Sequence, residues 1–325
     1  MDIQEARARA GSNIALVKYW GKRDEALNLP ATGSLSITLD TLHTDTRLVP
    51  DPSLAADQFE LNGRPADPAR LRAFLDRFRA LAGREGHFQV ISSNSFPTSA
   101  GLASSASAFA ALAVAANRAF GLDLSPTRLS ELARQGSGSA ARSIFGGFVE
   151  MARGEAPDGS DCVARPLAPA EHWPLEVVVA VTSEEAKSVS SSEGMRRTMR
   201  TSPYYPAWVE QVDRDLALAR ESILSRDFAA LADVAEASAL AMHASALAAR
   251  PGVIYFKPAT LACLERVREL RASGLDVFFT VDAGPQVKAI CRPEHRRPVA
   301  DALAELPGVH RVLEARLGPG AVELP

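Results

Sequence analysis

The amino-acid sequence predicts an α+β protein with two lobes, and three observations support this expectation. Two kinds of segment alternate irregularly along the chain. Strand-like segments have alternating apolar and polar residues, and helix-like segments have apolar residues at three- and four-residue spacing. The chain of 325 residues is long enough for one large domain or two packed ones, and 46% of its residues are apolar. No internal repeat or low-complexity linker divides the sequence. We therefore expect one lobe over residues 1–183 and a second over residues 184–325.

The first lobe is expected to be rich in strands, with helices inserted between them. The segment Leu-Ser-Ile-Thr-Leu at 35–39 alternates as a half-buried strand does. A helix is predicted over 67–84, because its apolar residues, among them Leu71 and Phe78, recur on one face. The other expected elements of this lobe are a strand at 87–92, a helix at 104–120 and a strand at 145–151.

From residue 175 onwards, long helices are expected together with a few buried strands. The valine-rich segment 175–182 predicts a buried strand. Pro258 stands where a first-turn proline is tolerated, and Gly274 is typical of the residue just past a helix. The other expected elements are a polar loop at 187–195, helices at 207–225, 228–248, 258–272 and 295–306, and strands at 277–281 and 311–315.

Composition excludes several classes of function. The net charge of −3 provides no global attraction to nucleic acid or to an anionic membrane. The three cysteines are scattered without metal-ligand spacing, so free thiols in a reducing compartment are expected rather than disulfides or zinc. The longest apolar run, about 14 residues at 106–119, is too short to cross a bilayer. Residues 1–11 lack the apolar stretch of a signal peptide, and we expect a cytoplasmic protein with no membrane partner.

A loop of small residues at 96–106 has the features of a phosphate-binding segment. It reads Phe-Pro-Thr-Ser-Ala-Gly-Leu-Ala-Ser-Ser-Ala and leads into a predicted helix, whose first N–H groups are unpaired and favour an anion. A serine-capped helix after a flexible loop is an equally simple interpretation. The segment is neither a Walker A loop nor a Rossmann fingerprint. The candidate nucleotide-binding residues are Ser99, Ala100, Gly101, Leu102, Ala103, Ser104 and Ser105.

This loop and three further motifs resemble one enzyme family. The loop is similar to that of the galactokinase, homoserine kinase, mevalonate kinase and phosphomevalonate kinase superfamily, and its Ala-Ser-Ser form resembles the mevalonate diphosphate decarboxylases. The other motifs are Asn-Ile-Ala-Leu-Val-Lys-Tyr-Trp-Gly-Lys-Arg at 13–23, Arg-Gln-Gly-Ser-Gly-Ser-Ala-Ala-Arg-Ser at 134–143, followed by Gly-Gly-Phe-Val-Glu, and Val-Asp-Ala-Gly-Pro at 281–285. Together they span about residues 10–290 in the order found in the family.

The resemblance implies both a reaction and its cofactors. It implies the two-lobed fold of that superfamily and an enzyme that uses ATP and Mg²⁺ to phosphorylate the C3 hydroxyl of mevalonate 5-diphosphate. Loss of phosphate and CO₂ then gives isopentenyl diphosphate. The alternatives are a decarboxylase of the 5-monophosphate, a mevalonate 3-kinase that does not decarboxylate, and a non-catalytic nucleotide-binding regulator. Members of the family often form homodimers, so a homodimer is a further expectation.

Three residues are implied to be catalytic. Asp282 follows an apolar strand and precedes a tight turn, so by itself it would be interpreted as a turn cap. The resemblance implies instead that it orients the C3 hydroxyl and deprotonates it. Lys18, in an apolar stretch, is implied to lie close to that aspartate. Arg142 is implied to hold the departing carboxylate, to which a guanidinium presents two parallel donors.

Further polar residues are implied to contact the substrates. Tyr19 and Lys22 are implied to receive the terminal phosphates, with Arg70 as a weaker candidate, and Ser105 is a candidate magnesium ligand. The serine candidates near the substrate are Ser137, Ser139, Ser191 and Ser192. Some family members have an arginine where this chain has Ser192, and residues 31–34 (Ala-Thr-Gly-Ser) lack the usual asparagine. These departures leave the number of terminal phosphates open. We expect His243 to be a core residue.

Overall fold

The computed structural model describes residues 3–96, 104–185 and 187–325, which form a larger mixed sheet, a smaller antiparallel sheet and a separate two-stranded ribbon, with helices packed around them. Its strands are β1 (Ala6–Val17), β2 (Lys22–Asp24), β3 (Leu29–Pro30), β4 (Ser34–Pro50), β5 (Gln58–Leu61), β6 (Arg64–Pro65), β7 (Phe88–Asn94), β8 (Phe148–Met151), β9 (Ala164–Ala168), β10 (Glu176–Val181), β11 (Val277–Val281), β12 (Val287–Cys291), β13 (Arg311–Arg316) and β14 (Val322–Leu324). Its helices are α1 (Ala69–Ala82), α2 (Ser104–Ala119), α3 (Pro126–Gly136), α4 (Ala140–Ser143), α5 (Ser191–Thr201), α6 (Tyr205–Ser225), α7 (Phe228–Leu247), α8 (Pro258–Ala272) and α9 (Arg296–Ala304).

The larger sheet has the order β14-β1-β4-β7-β5-β6, and β8 joins it by pairing with both β4 and β9. The long strands β1 and β4 pair antiparallel over most of their length, and β5 runs parallel to β7. The smaller sheet has the order β11-β12-β10-β13. The last strand returns to pair with the first, so both ends of the described chain lie in the larger sheet.

The three largest hydrophobic clusters of the described residues hold these layers together. One lies between the larger sheet and α1, α2 and α3, and another between the smaller sheet and α8 and α9. The largest cluster contains Ile37 of β4, Val177 of β10, Phe278 of β11 and Leu231 of α7. Because both sheets contribute buried apolar residues to this cluster, the two sheets belong to one continuous hydrophobic core. The division of the lobes at residue 183 stays a prediction.

The predicted elements agree with the structure where hydrophobic periodicity is strong. The helices expected at 67–84, 207–225, 228–248 and 258–272 correspond to α1, α6, α7 and α8, and the α+β class is confirmed. The polar loop expected over 187–195 is wrong from Ser191 onwards, because α5 begins there. Ser190 caps this helix by accepting a hydrogen bond from the backbone N–H of Glu193. With only Gly194, Met195 and Thr198 buried, the apolar stripe was too short to be recognised.

No helix in the described parts of the chain is long and apolar enough to cross a membrane. All three cysteines are free and buried.

Candidate active site

The candidate site is a cleft of about 690 Å³ where the ends of β1 and β11 meet α2, α3, α4 and α5. Its size suits a small-molecule ligand of several polar groups. Among the sequence-predicted residues, Lys18, Asp282, Arg142, Tyr19, Lys22, Arg70, Ser104, Ser105, Ser137, Ser139, Ser191 and Ser192 all line it. Ser99, Ala100, Gly101, Leu102 and Ala103 lie outside the described residues, so their nucleotide contacts stay a prediction.

Asp282 is placed by the end of an apolar strand. All five residues of β11 are buried, and the strand stops at Val281, after which the N–H of Gly284 donates to the carbonyl of Asp282 and closes a tight turn. The carboxylate therefore emerges from a rigid strand into the cleft. Next to it, His243 is buried and its Nε2 lies 3.3 Å from the carbonyl oxygen of Val281, which agrees with the expectation of a core histidine.

Two lysines flank the Asp282 carboxylate. Lys18 Nζ donates to Oδ1 at 2.7 Å, and Lys288 Nζ lies 3.1 Å from Oδ2. Burial alone would raise the pKa of Asp282, but these two positive charges outweigh it and hold that pKa well below its usual range. Burial lowers the pKa of Lys18 to about 8, although Asp282 opposes the shift. The structure thus brings Lys18 and Asp282 together as expected and adds Lys288, which sequence reasoning missed.

Arg142 is held deep in the cleft by three polar side chains. Its Nε donates to Ser36 Oγ at 2.9 Å, Nη1 to Ser34 Oγ at 2.6 Å and Nη2 to Asn13 Oδ1 at 3.1 Å. These neutral acceptors orient the guanidinium without cancelling its charge. Burial lowers the pKa of Arg142 to about 10, so the side chain remains a cation at neutral pH. The hydrogen-bond acceptors described for Arg142 are two hydroxyls and an amide oxygen, none of which carries a negative charge. A buried cation with neutral acceptors of this kind is well suited to bind an anion.

Serine hydroxyls form a row along the cleft wall near Arg142. Ser105 Oγ lies 3.2 Å from Ser137 Oγ, which lies 3.4 Å from Ser139 Oγ. A Cβ on Gly138 would come within 2.2 Å of the Tyr19 hydroxyl, so the glycine permits the phenol to pack against this row. Burial raises the pKa of Tyr19 above its ordinary value, so the phenol stays a neutral hydrogen-bond donor.

A second positive group lies in the outer part of the cleft. This group consists of Lys22, Arg70 and Arg196, and the charges of the two arginines and of Glu25 act on Lys22. Arg196 Nη2 pairs with Glu25 at 3.0 Å, and its Nη1 pairs with Glu193 at 2.8 Å. Burial lowers the pKa of Lys22. Arg196, on the first turns of α5, was not predicted, because that segment was expected to be a loop.

Lys187 is a further basic residue that sequence reasoning left without a role. Its Nζ donates to the carbonyl of Ala283 at 2.8 Å and to Ser191 Oγ at 3.0 Å, which ties the start of α5 to the turn after Asp282. Burial lowers the pKa of Lys187, and the nearby charge of Lys288 lowers it further. A signal for this residue was available, since a lysine directly before a serine-rich segment suits an anion site.

The cleft is therefore strongly positive and contains the groups that a phosphorylated acid requires. Among the described residues that line the cleft, two are acidic, Glu25 and Asp282. Seven are basic: Lys18, Lys22, Arg70, Arg77, Arg142, Lys187 and Arg196. No group of three or more histidine, cysteine or acidic side chains in the described ranges could hold a metal ion. Besides the carboxylates of Glu25 and Asp282, the cleft offers serine hydroxyls to magnesium, and these oxygens suit this ion when phosphate oxygens and water complete its shell.

The fold and the site define a class: an ATP-using enzyme of the galactokinase, homoserine kinase, mevalonate kinase and phosphomevalonate kinase superfamily. Residues 10–164 match the family described as the diphosphomevalonate decarboxylase-like N-terminal domain, and residues 177–316 match the mevalonate 5-diphosphate decarboxylase C-terminal domain. The chain belongs to the diphosphomevalonate decarboxylase family.

Individual relatives agree with this assignment over most of their length. The chain is 41% identical to diphosphomevalonate decarboxylase of Homo sapiens, with 84% of this chain and 73% of the relative covered. The crystal structure of mevalonate diphosphate decarboxylase from Staphylococcus aureus superposes with a TM-score of 0.93 at 37% identity, covering 99% of this chain and 98% of that one. A solved structure described as MDDEF in complex with MVAPP, AMPPCP and magnesium has a TM-score of 0.92 at 40% identity, with 98% of each chain covered.

Proposed function

We propose that this chain catalyses the ATP-dependent decarboxylation of mevalonate 5-diphosphate to isopentenyl diphosphate, with release of ADP, phosphate and CO₂. The observation that carries the proposal is the Asp282 carboxylate between Lys18 and Lys288, beside the buried Arg142. This arrangement provides an acceptor for a hydroxyl and a separate cation for a carboxylate within one cleft. Membership of the diphosphomevalonate decarboxylase family, and the similarity to relatives named diphosphomevalonate decarboxylase, support the same reaction.

Asp282 is proposed to orient the tertiary C3 hydroxyl of the substrate. A tertiary alcohol is a poor leaving group, and phosphorylating it makes it a good one. Because the pKa of Asp282 is held low by the two lysines, the carboxylate is a weak base. It therefore accepts the hydroxyl proton only as the new O–P bond forms, and before that it aligns the hydroxyl by accepting its hydrogen bond.

Arg142 is proposed to hold the substrate carboxylate until it leaves as CO₂. When the C3–O bond breaks with loss of phosphate, electron demand at C3 is met by the electron pair of the C–CO₂ bond, which becomes the alkene. The three side chains that fix the guanidinium keep the carboxylate in the orientation that this elimination needs. Lys18 stabilises the negative charge that develops near Asp282.

The outer part of the cleft is proposed to receive the terminal phosphates. The proposed contacts are Tyr19, Lys22, Arg70, Ser191 and Ser192. Ser104, Ser105, Ser137 and Ser139 are proposed to face the ATP phosphates and the substrate, and the undescribed residues 99–103 would complete the nucleotide loop. Mg²⁺ bound with the nucleotide would neutralise the charge of its phosphates, and Ser105 is the proposed protein ligand.

The experiment that tests this proposal measures ADP and CO₂ separately. The protein is incubated with Mg²⁺ and ATP and, in turn, with mevalonate, its 5-phosphate and its 5-diphosphate. Equal amounts of ADP and CO₂ from the diphosphate are expected. CO₂ from the monophosphate alone would contradict the assigned substrate, ADP without CO₂ would indicate a 3-kinase, and no turnover of any of the three would indicate a nucleotide-binding regulator.

Two further properties are proposed on the same basis. We place the reaction in the cytoplasm, since three buried free thiols fit a reducing compartment. A homodimer stays a prediction, and sedimentation equilibrium of the purified chain would test it.

A further inference from the structure

Lys288 is a fully buried cation. It lies in the middle of β12, opposite Thr280 of β11 and Val179 of β10, and its exposed fraction is 0%. Removing an ammonium group from water is strongly unfavourable unless an opposite charge and hydrogen bonds compensate. Lys288 Nζ donates to the carbonyl of Gln286 at 3.4 Å, and its ion pair with Asp282 Oδ2 measures 3.1 Å. The carboxylate of Asp282 is thus its charged partner.

The two oxygens of Asp282 have different surroundings. Oδ2, on the Lys288 side, is shielded from solvent, whereas the side chain as a whole keeps 21% of its surface exposed. Oδ1 accepts a hydrogen bond from Lys18, and both Lys18 and Asp282 line the cleft, whereas Lys288 is not among its lining residues. One oxygen thus pairs with a fully buried lysine, and the other pairs with a lysine that lines the cleft.

We propose that Lys288 is a positioning residue that pins Oδ2 of Asp282, so that Oδ1 is the oxygen presented to the substrate hydroxyl. This inference rests on the proposed function, because it assigns Lys288 a task in that reaction. Lys288 lies too deep to touch the substrate and acts through Asp282. In the smaller sheet, β12 lies between β11 and β10 and pairs with both. Lys288 and Asp282 are therefore positioned by two strands that are hydrogen-bonded to each other.

The charges around Asp282 determine what removal of Lys288 does. Lys18 would remain on Oδ1, with Lys187 and Arg142 at longer range and the buried ring of His243 uncharged. Oδ2 would then be buried without its cation. Two responses follow: the carboxylate turns to find another donor, or it binds a proton more readily. Either response withdraws the ionised Oδ1 from the position that the hydroxyl requires.

The test compares Lys288→Met and Lys288→Gln with a matched control, Ile290→Val. Methionine keeps the length of the lysine stem and removes the charge, and glutamine serves as a second neutral variant if methionine does not fold. Ile290 lies two residues further along the same strand, is equally buried and belongs to the hydrophobic core, so its substitution perturbs packing alone. Folding of each variant is verified by thermal denaturation.

Two quantities are measured. The first is the chemical shift of the Asp282 carboxyl carbon in ¹³C-aspartate-labelled protein from pH 5 to pH 8, identified by its absence in Asp282→Asn. The second is kcat and KM for CO₂ release from mevalonate 5-diphosphate over the same pH range. We expect a flat shift in the unmodified protein and in Ile290→Val, and a titration in Lys288→Met. We expect kcat of Lys288→Met to fall on the order of tenfold to a hundredfold, with an acidic limb, while KM stays within about twofold.

Either of two results would overturn the inference. One is a folded Lys288→Met or Lys288→Gln protein whose carboxyl shift stays flat and whose kcat is unchanged. The other is a loss of kcat in Ile290→Val as large as that in the Lys288 variants. The NMR titration needs no turnover, so it decides the role of Lys288 towards Asp282 even if the unmodified protein releases no CO₂, a result that would count against the proposed function alone.

Discussion

Replacing His243 by phenylalanine should make the protein less sensitive to acid. His243 lies on α7, where its ring packs against Phe256 at a centroid distance of 4.3 Å and its Nε2 lies 3.3 Å from the Val281 carbonyl oxygen. Burial and the nearby charge of Lys18 lower its pKa from 6.5 to about 3. The ring is therefore neutral in the folded protein at pH values at which it is protonated in the unfolded chain.

The size of the effect follows from these two pKa values. Between pH 6.5 and pH 3 the unfolded chain binds one more proton at this position than the folded protein does, so stability rises with pH in this interval. The contribution of His243 is fully present above pH 6.5 and is lost as the pH falls, by about 1.4 kcal/mol per pH unit. At pH 5, roughly 1.5 units below the ordinary value, about 2 kcal/mol of the free energy of unfolding has been lost through this residue.

Urea unfolding followed by circular dichroism at pH 7.5 and pH 5 measures this difference. The loss of unfolding free energy between the two pH values should be smaller by about 2 kcal/mol in His243→Phe than in the unmodified protein. His310→Gln, at an exposed position, is the control and should behave as the unmodified protein does. Equal acid sensitivity of His243→Phe and the unmodified protein would refute the reasoning, since it would mean that the buried ring is protonated as easily as a free one.

Three other substitutions test the proposed roles in the cleft. Asp282→Asn should retain ATP binding, measured by calorimetry, and lose about 10²–10⁴-fold in kcat; near-normal CO₂ release would remove Asp282 from its role. Arg142→Lys keeps the charge but loses the fork that binds Ser34 and Ser36, so kcat/KM should fall more than about tenfold, and an unchanged value would contradict its contact with the carboxylate. Arg196→Gln should raise KM for the diphosphate about three- to fivefold with kcat unchanged, whereas Arg200→Gln, outside the cleft lining, should change neither; equal KM shifts would indicate a non-specific charge effect.

Local patterns were sufficient for most long elements, whereas the central site residues were assigned from the family resemblance of their motifs. Helices α6, α7 and α8 carry several turns of apolar residues, and this periodicity is a property of neighbouring positions along the chain. Asp282 and Lys18 stand within motifs, so their proximity could be expected although 264 positions separate them, and the structure places their atoms 2.7 Å apart. Helix α5 was missed because its sequence is mostly polar and has no long apolar stripe. The burial of a few residues and the cap provided by Ser190 stabilise it, and neither is visible in the local pattern.

By itself, the sequence determined the fold class, the family and the residues that stand within its motifs. Only the tertiary structure decided that Lys288 pairs with Asp282, that Arg196 reaches the outer cleft, and that Arg142 is fixed by Ser34, Ser36 and Asn13. The physical reason is that burial and ion pairing depend on which strands become neighbours. In the segment Val-Lys-Ala-Ile-Cys, the lysine could equally have faced solvent, and it became a partner of the aspartate only when β12 paired between β10 and β11.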